Sequence, residues 1–287
     1  MKVIIPLAGF GTRLRPHTYS RPKPLVDVAG KPVLGHILDK LEGLDVEEVC
    51  FIVGYLGEQI EAYVSKNYHF PARYLEQKEL LGQAHAVGLA QPYVDGAALI
   101  LFVDTIFEAN LLPLADITTD GVIFVREVED PRRFGIVTLK DDLITRFVEK
   151  PSEPISHLAV IGLYYLKHAP DLFAAIEELM QRRIQTKGEY FLADALQLMV
   201  ERGARLNAWP VDVWEDCGTP EAVLQTNRYL LGKLAAGPAS PGVIPPVYIG
   251  TAAQVENSVV GPYVHLGDGC RVVDSRLGPY VSLAAGA

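Results

Sequence analysis

Hydrophobic and polar positions follow several rhythms along this chain of 287 residues. Over the first 110 residues, short apolar runs alternate with amphipathic segments. KVIIPL, EEVCFIVG, ARYLEQ and AALILFV read as strands, and residues 32–44, 57–66 and 82–91 carry apolar side chains at helical spacing. Pro32 suits a first helical position, where its missing N–H is no loss. Strands alternating with helices predict an α/β fold with a doubly wound, mixed but mostly parallel sheet. Such sheets bind ligands beyond the carboxyl ends of their strands, where the loop after the first strand and Asp104 would fall.

The middle of the chain has a different rhythm. GVIFVREV, FGIVTLK, LITRFVEK and LAVIGLYYL read as strands joined by short connections, and residues 170–183, 189–202 and 220–234 as helices. GKLAAGPASPG, residues 232–242, is rich in Gly, Ala, Ser and Pro and reads as a linker between a domain at 1–231 and a tail at 243–287. The tail repeats itself at an offset of 17: VGPYVHLGDGC is followed by LGPYVSLAAGA. Aliphatic residues recur about every six positions, at Ile249, Val255, Val260, Leu266, Val272, Leu277 and Leu283. This hexapeptide spacing predicts a β-helix with three short strands to a coil. Its last coil has no cap, which implies either that the sequence is truncated or that a partner covers the end.

Composition narrows the function classes. A hydrophobic fraction of 49% and a charged fraction of 21% suit a full core. The opening MKVIIP is too short for a signal-peptide core, and the longest apolar run, Ala97–Val103, is too short to span a bilayer. The expected location is cytoplasmic. Cys50, Cys217 and Cys270 lie far apart with no CxxC pair, which argues against a disulfide framework or a zinc site. A net charge of −9 opposes general attraction to nucleic acid or an anionic membrane. Against that background Lys2, Arg13, Arg15, Arg21, Lys23 and Lys31 cluster in residues 1–38 with Asp27 as the sole acid. A small polyanionic substrate would require such a concentration of cations.

The cluster belongs to VIIPLAGFGTRLRPHTYSRPKP, residues 3–24. A glycine-bearing turn lets backbone N–H groups approach phosphate oxygens, and nearby cations neutralise them. The string is not a P-loop, which needs Gly-Lys-Ser/Thr, and Leu14 stands where a dinucleotide fingerprint needs its third glycine. Alone, it could also be an ordinary strand-to-helix loop with a solvated basic face. It has company, however: QKELLGQAHAV, FVDTIF, EDPRRFGIV, RFVEKP, AVIGLYYL and WEDCGTPEAVLQTN follow in order. Together these strings resemble the signature of the sugar-1-phosphate nucleotidylyltransferases, over residues 1 to about 232. The tail resembles the left-handed β-helix that some members carry.

The resemblance implies a Rossmann-like nucleotidyltransferase domain. In that family a sugar-1-phosphate oxygen attacks the α-phosphate of a nucleoside triphosphate and pyrophosphate leaves, with no covalent enzyme intermediate. Carried over residue by residue, Leu7, Ala8, Gly9, Gly11, Thr12 and Arg13 would hold the triphosphate, with Arg13 and Lys23 catalytic. Asp104 and Asp216 would bind Mg²⁺; taken singly, they could be a turn residue and a helix-start residue. Gln77 would read the base edge, assisted by the backbone near Gly82, because an amide matches the donor–acceptor edge of uracil or thymine. Gly135, Glu149, Lys150 and Val160, with Phe134 and Gly162, would bind the sugar phosphate; a solvated charge pair and core packing are the plainer readings of Glu149–Lys150 and Val160. Arg15 and Arg21 read as surface charges, Trp209 and Trp214 as core, and His265 as a lone histidine that faces solvent or packs. The family usually has Gly where this chain has Val103.

The expected reaction joins dTTP or UTP to glucose-1-phosphate. The alternatives are a silent sugar-nucleotide sensor, a mannose-1-phosphate guanylyltransferase, and a bifunctional enzyme with an acyltransferase tail. Expected partners are the two substrates, with no nucleic acid or membrane, and a second copy of the chain through the tail.

Overall fold

The computed structural model describes residues 1–153, 155–233 and 241–287. Strand β1 (Lys2–Pro6) buries Val3, Ile4 and Ile5 completely. Ile4 packs into one core cluster, Val3 and Ile5 into another on the opposite face of the sheet. Burial on both faces is why this strand runs apolar without alternation. A hairpin of β2 (Asp27–Val28) and β3 (Lys31–Pro32) leads into helix α1 (Val33–Leu38). Pro32 precedes that helix with ψ at 146°, so it flanks the first turn rather than opening it. Strand β4 (Glu48–Val53), helix α2 (Gly57–Asn67), β5 (Ala72–Glu76), α3 (Gln83–Gly88) and β6 (Ala98–Leu101) complete the alternating half. There β4 and β6 flank β1, β5 flanks β4, and every pairing is parallel.

The second half departs from expectation. Strands β7 (Thr105–Glu108), β8 (Gly121–Glu127), β9 (Gly135–Lys140), β10 (Leu143–Glu149) and β11 (Leu158–Leu166) precede helices α4 (Ala169–Gln181) and α5 (Leu192–Glu201). Then come β12 (Leu206–Pro210), β13 (Val213–Asp216) and α6 (Pro220–Lys233). The nine-stranded sheet has the order β5-β4-β1-β6-β11-β8-β12-β10-β9. β11 runs antiparallel to both β6 and β8, and β10 antiparallel to both β12 and β9. The sheet is therefore mixed, and "mostly parallel" holds only for its first four strands. Parallel neighbours need a crossover of a dozen or more residues, usually a helix. Among the described residues the connections between β8 and β11 hold no α-helix; the parallel pair β8–β12 is bridged by α4 and α5.

Strands β7 and β13 leave the main sheet and form a two-stranded antiparallel ribbon. Helix α6 continues through Lys233, into the stretch read as linker, and residues 234–240 of that stretch lie outside the described residues.

The tail contains β14 (Val247–Ile249), β15 (Gln254–Glu256), β16 (Val259–Val260), β17 (Val264–Leu266), β18 (Arg271–Val273), β19 (Arg276–Leu277) and β20 (Ser282–Leu283). They pair in parallel as β14-β17-β20, β15-β18 and β16-β19, each residue meeting the one 17 positions on. The corners share this register. Positive φ recurs at Ala252, Gly269 and Gly286, at Asn257 and Asp274, and at Tyr263 and Tyr280. The inward side chains of Val260, Val264, Leu266, Cys270 and Val272 make a small core of their own.

Candidate active site

The loop after β1 is shaped by close approaches. Leu7 donates its N–H to the Ile52 carbonyl at 2.7 Å, which prolongs the β1–β4 register by one residue. Gly11 has φ at +61°, and a Cβ there would lie 2.9 Å from Lys23 Cβ and 3.1 Å from Thr18 Cγ2. Only glycine allows the turn to fold back upon Lys23. The Thr18 hydroxyl ties the turn down by donating to the Gly11 carbonyl at 2.9 Å.

Beyond this loop lies a cleft with two lobes. The first, about 270 Å³, is lined by Leu7, Gly9, Gly11, Thr12, Arg13, Lys23 and Gly218, among others. The second, about 330 Å³, is lined by Gln83, Arg133, Gly135, Glu149, Lys150, Val160, Tyr164, Trp214 and Asp216, among others. Arg13, Phe102 and Asp104 belong to both and form the waist.

Asp104 sits in the bend between β6 and β7, not at the end of one continuous strand. Its Oδ2 lies 3.3 Å from Lys23 Nζ, and its carbonyl accepts the Cys217 N–H at 2.7 Å. Asp216, the last residue of β13, is in register with Thr105. The ribbon thus sets the two aspartates one register step apart across facing strands. Asp216 Oδ1 accepts the Gly218 N–H at 2.7 Å. A Cβ at 218 would stand 2.8 Å from Asp216 Oδ1 and 3.0 Å from Arg13 Nη2, so glycine keeps the guanidinium and the carboxylate close. Among the described residues no group of three or more His, Cys, Asp or Glu side chains forms a larger ligand set. Two carboxylates, with the remaining positions left to phosphate oxygens and water, are the donor set that Mg²⁺ takes.

The second lobe is more enclosed. Glu149 pairs with Gly135 across β10–β9, and a Cβ at 135 would meet Glu149 Oε2 at 2.9 Å. The Glu149 side chain is 8% exposed and lies 3.4 Å from Lys150 Nζ. Burial pushes the Glu149 carboxyl above its usual range, with the Lys150 charge opposing. Lys150 has φ at +44°, and its ammonium stands 4.4 Å from the centre of the Phe191 ring. Burial, then the Glu149 and Asp104 charges, hold the Tyr164 phenol well above its ordinary value, so it stays a neutral hydroxyl. Trp214 packs edge-on against Phe134, and its buried Nε1–H has no partner among the described residues.

Several expected residues lie elsewhere. Ala8 is buried behind the loop, its carbonyl 2.8 Å from where a Cβ of Gly54 would be. Gln77 and Gly82 line neither lobe. Gln77 is buried, its Nε2 donating to the Gly82 carbonyl at 3.2 Å and lying 3.0 Å from His85 Nδ1. Gly82 is held between its neighbours and the backbone of Tyr190, 2.6 Å from where its Cβ would be. Arg15 lies over the Tyr19 ring and Arg21 pairs with Asp27 at 2.6 Å, both outside the cleft. Val103 lines the first lobe and packs into the core beneath it. His265 is buried in the tail, 2.9 Å from Ser282 Oγ, and burial lowers its pKa.

Sequence reading missed Phe102, Arg133 and Tyr164, and it read Trp214 as core alone; Trp214 does pack against the core, but it also lines the second lobe. Trp214 carried a signal: it stands two residues before Asp216 on a strand, and alternate strand residues share a face. The others depend on how distant strands meet.

Residues 2–233 match the family model described as nucleotidyl transferase. The bifunctional protein GlmU of Methanocaldococcus jannaschii is 39% identical over 239 residues, which cover 82% of this chain and 55% of that protein. The UTP–glucose-1-phosphate uridylyltransferase AglF of Haloferax volcanii is 35% identical over 230 residues, covering 77% of this chain and 93% of that one. The chain spans about half the length of the GlmU relatives that it matches. A Bacillus anthracis protein assigned as a glucose-1-phosphate thymidylyltransferase superposes with a TM-score of 0.71 at 26% identity, over 83% of this chain and 98% of that one. The chain belongs to the nucleotidyl transferase family.

Proposed function

We propose that this protein joins a nucleoside triphosphate to a sugar-1-phosphate, releasing pyrophosphate and a nucleoside diphosphate sugar. The observation that carries this reading is the shared waist: Arg13 and Asp104 border both lobes. A triphosphate in the first lobe and a sugar phosphate in the second would meet there, with the attacking oxygen and the α-phosphate held in line. The loop at Gly9–Thr12 offers backbone N–H groups to the β- and γ-phosphates. Arg13 neutralises charge as it moves toward the leaving pyrophosphate, and Lys23 holds the triphosphate beside Asp104. Asp104 and Asp216 would hold Mg²⁺, which supplies charge neutralisation on phosphate oxygens when bound. Glu149 accepts from sugar hydroxyls while Lys150 balances the sugar phosphate. The neutral Tyr164 hydroxyl adds a hydrogen-bonding group on the same wall.

We assign glucose-1-phosphate with UTP or dTTP as the substrate pair. The reaction named for AglF supports the choice. We read the tail as a left-handed β-helix on the strength of its hexapeptide spacing and its repeating corners, and as the surface for homo-oligomerisation. A cytoplasmic location follows from the substrates, which cells supply there; no described helix is long and apolar enough to cross a membrane.

The test is pyrophosphate release over a grid of nucleoside triphosphates and sugar-1-phosphates, with and without Mg²⁺. Release is expected only when all three components are present. Calorimetric binding of a sugar nucleotide with no release under any condition would overturn the reading in favour of a silent sensor.

A further inference from the structure

The tail touches the nucleotidyl transferase domain at a place that bears on the first lobe. Gly30, at the tip of the β2–β3 hairpin with φ at +90°, lies under the ring of Tyr248 from the tail. A Cβ on Gly30 would stand 2.5 Å from Tyr248 Cζ and 2.6 Å from each Cε. No side chain fits between them, so the hairpin tip and the ring are in direct contact. The ring is supported from behind. His265, one coil further on, meets it edge-on with centroids 5.2 Å apart, and Ser282, one coil beyond that, bonds His265 Nδ1 at 2.9 Å. All three coils of this face therefore stand behind the contact.

The other side of the hairpin leads to the site. Its base is closed by the Val33 N–H on the Val26 carbonyl, and Val26 donates in turn to the carbonyl of Lys23. Lys23 is thus one turn away from a hairpin whose tip the tail covers. The Ala29 N–H donates to Asn227 Oδ1 of α6 at 2.7 Å in a buried setting. Val28 and Val33 share a small core with Ile106 and Cys217, beside the two aspartates. The hairpin thus links the tail, through hydrogen bonds and packing, to the Lys23–Asp104 pair.

We propose that Tyr248 is a positioning residue for the triphosphate lobe: by holding the Gly30 tip, the tail holds Lys23 in place. This rests on the proposed transfer reaction for its kinetic arm, but its mechanical arm needs no substrate. Lys23 lines the first lobe and not the second, so the effect is confined to one substrate.

The experiment compares wild type, Tyr248→Ala and Tyr248→Phe in the full chain. Amide hydrogen exchange of Val26–Lys31 is expected to accelerate in Tyr248→Ala and to return to the wild-type rate in Tyr248→Phe, which keeps the ring. KM for the nucleoside triphosphate should rise about 5- to 10-fold in Tyr248→Ala, while KM for the sugar-1-phosphate stays within about twofold. A tail that merely adds stability would lower the active fraction and leave both KM values alone. Unchanged exchange at the hairpin, or equal rises in both KM values, would overturn the proposal. If wild type shows no turnover with any substrate pair, the transfer reading fails, and the exchange comparison still decides the positioning role.

Discussion

The first lobe, to which we assign the triphosphate, takes Leu7, Gly9, Gly11, Thr12, Arg13 and Lys23 from one continuous stretch, whereas the second, to which we assign the sugar phosphate, gathers Arg133, Gly135, Glu149, Val160, Ala193 and Trp214 from elements far apart in sequence. The first presents loop backbone and the cations Arg13 and Lys23, and Arg13 is exposed. The second relies on a buried carboxylate, aromatic walls and a neutral phenol. A triphosphate carries most of its recognisable chemistry as charge, which a short loop can match. A sugar carries hydroxyls in fixed directions, which need acceptors placed from several sides and partly shielded from water.

The largest effect expected from this division lies at the waist, which both lobes need. Chelation of Mg²⁺ should reduce pyrophosphate release to background. Asp216→Asn, which keeps an acceptor for the Gly218 N–H, should lower kcat by about 100-fold or more, read in a Mg²⁺ titration. Full activity in that variant would remove the metal assignment. Next come the cations of the first lobe. Arg13→Ala and Lys23→Ala should each cost about 100-fold in kcat/KM, the scale of one preorganised group facing developing charge. Arg15→Ala and Arg21→Ala, outside the cleft, should stay within about threefold. Equal losses in all four variants would mean that a diffuse basic field, not a built lobe, holds the triphosphate.

The second lobe should respond in sugar binding instead. Glu149→Gln is expected to raise KM for the sugar-1-phosphate about 10-fold, the weight of a hydrogen bond to a charged group, with little change for the nucleotide. Its pH dependence has a definite sign. Burial raises the Glu149 pKa, so the carboxylate begins to protonate at a higher pH than an exposed glutamate would. As the pH falls through that value, Lys150 loses its partner and the sugar loses a charged acceptor, so KM rises on the acid side. Glu149→Gln should flatten that limb, and an unchanged limb would assign it to another group. The smallest expected effect is at Trp214. Its buried Nε1–H has no partner among the described residues, so Trp214→Phe should leave thermal stability within ~1 kcal/mol of wild type and raise KM for the sugar by about threefold. A stability loss well beyond that would make the indole a core residue that happens to border the lobe.

Particular residues show why one lobe was legible in the sequence and the other only in part. Gly11 and Lys23 are neighbours in space because the chain turns back within a dozen residues, and such a local constraint leaves a string that can be recognised. Glu149 and Lys150 were legible through the family's FVEKP string, but what holds them was not. The glycine opposite Glu149 and the aromatic ring beneath Lys150 come from other elements. Phe102 borders both lobes because Gly162, at a φ of +83°, leaves it room; a Cβ there would lie 2.9 Å from Phe102 Cβ. Nothing local to Phe102 announces that contact.

By itself the amino-acid sequence determined the alternating first half of the sheet and the period of the tail, and it singled out the glycine-bearing loop after β1 and the aspartates Asp104 and Asp216. Each follows from residues close in the chain, or from a repeat that shows itself. Tertiary structure alone decided that the second half of the sheet turns antiparallel, because that depends on which strands find one another once short connections forbid a crossover. It also decided that β7 and β13 pair to bring Asp104 beside Asp216, and that Tyr248 covers Gly30. These are contacts between residues tens to hundreds of positions apart, and their cause is the packing of surfaces that no local pattern encodes.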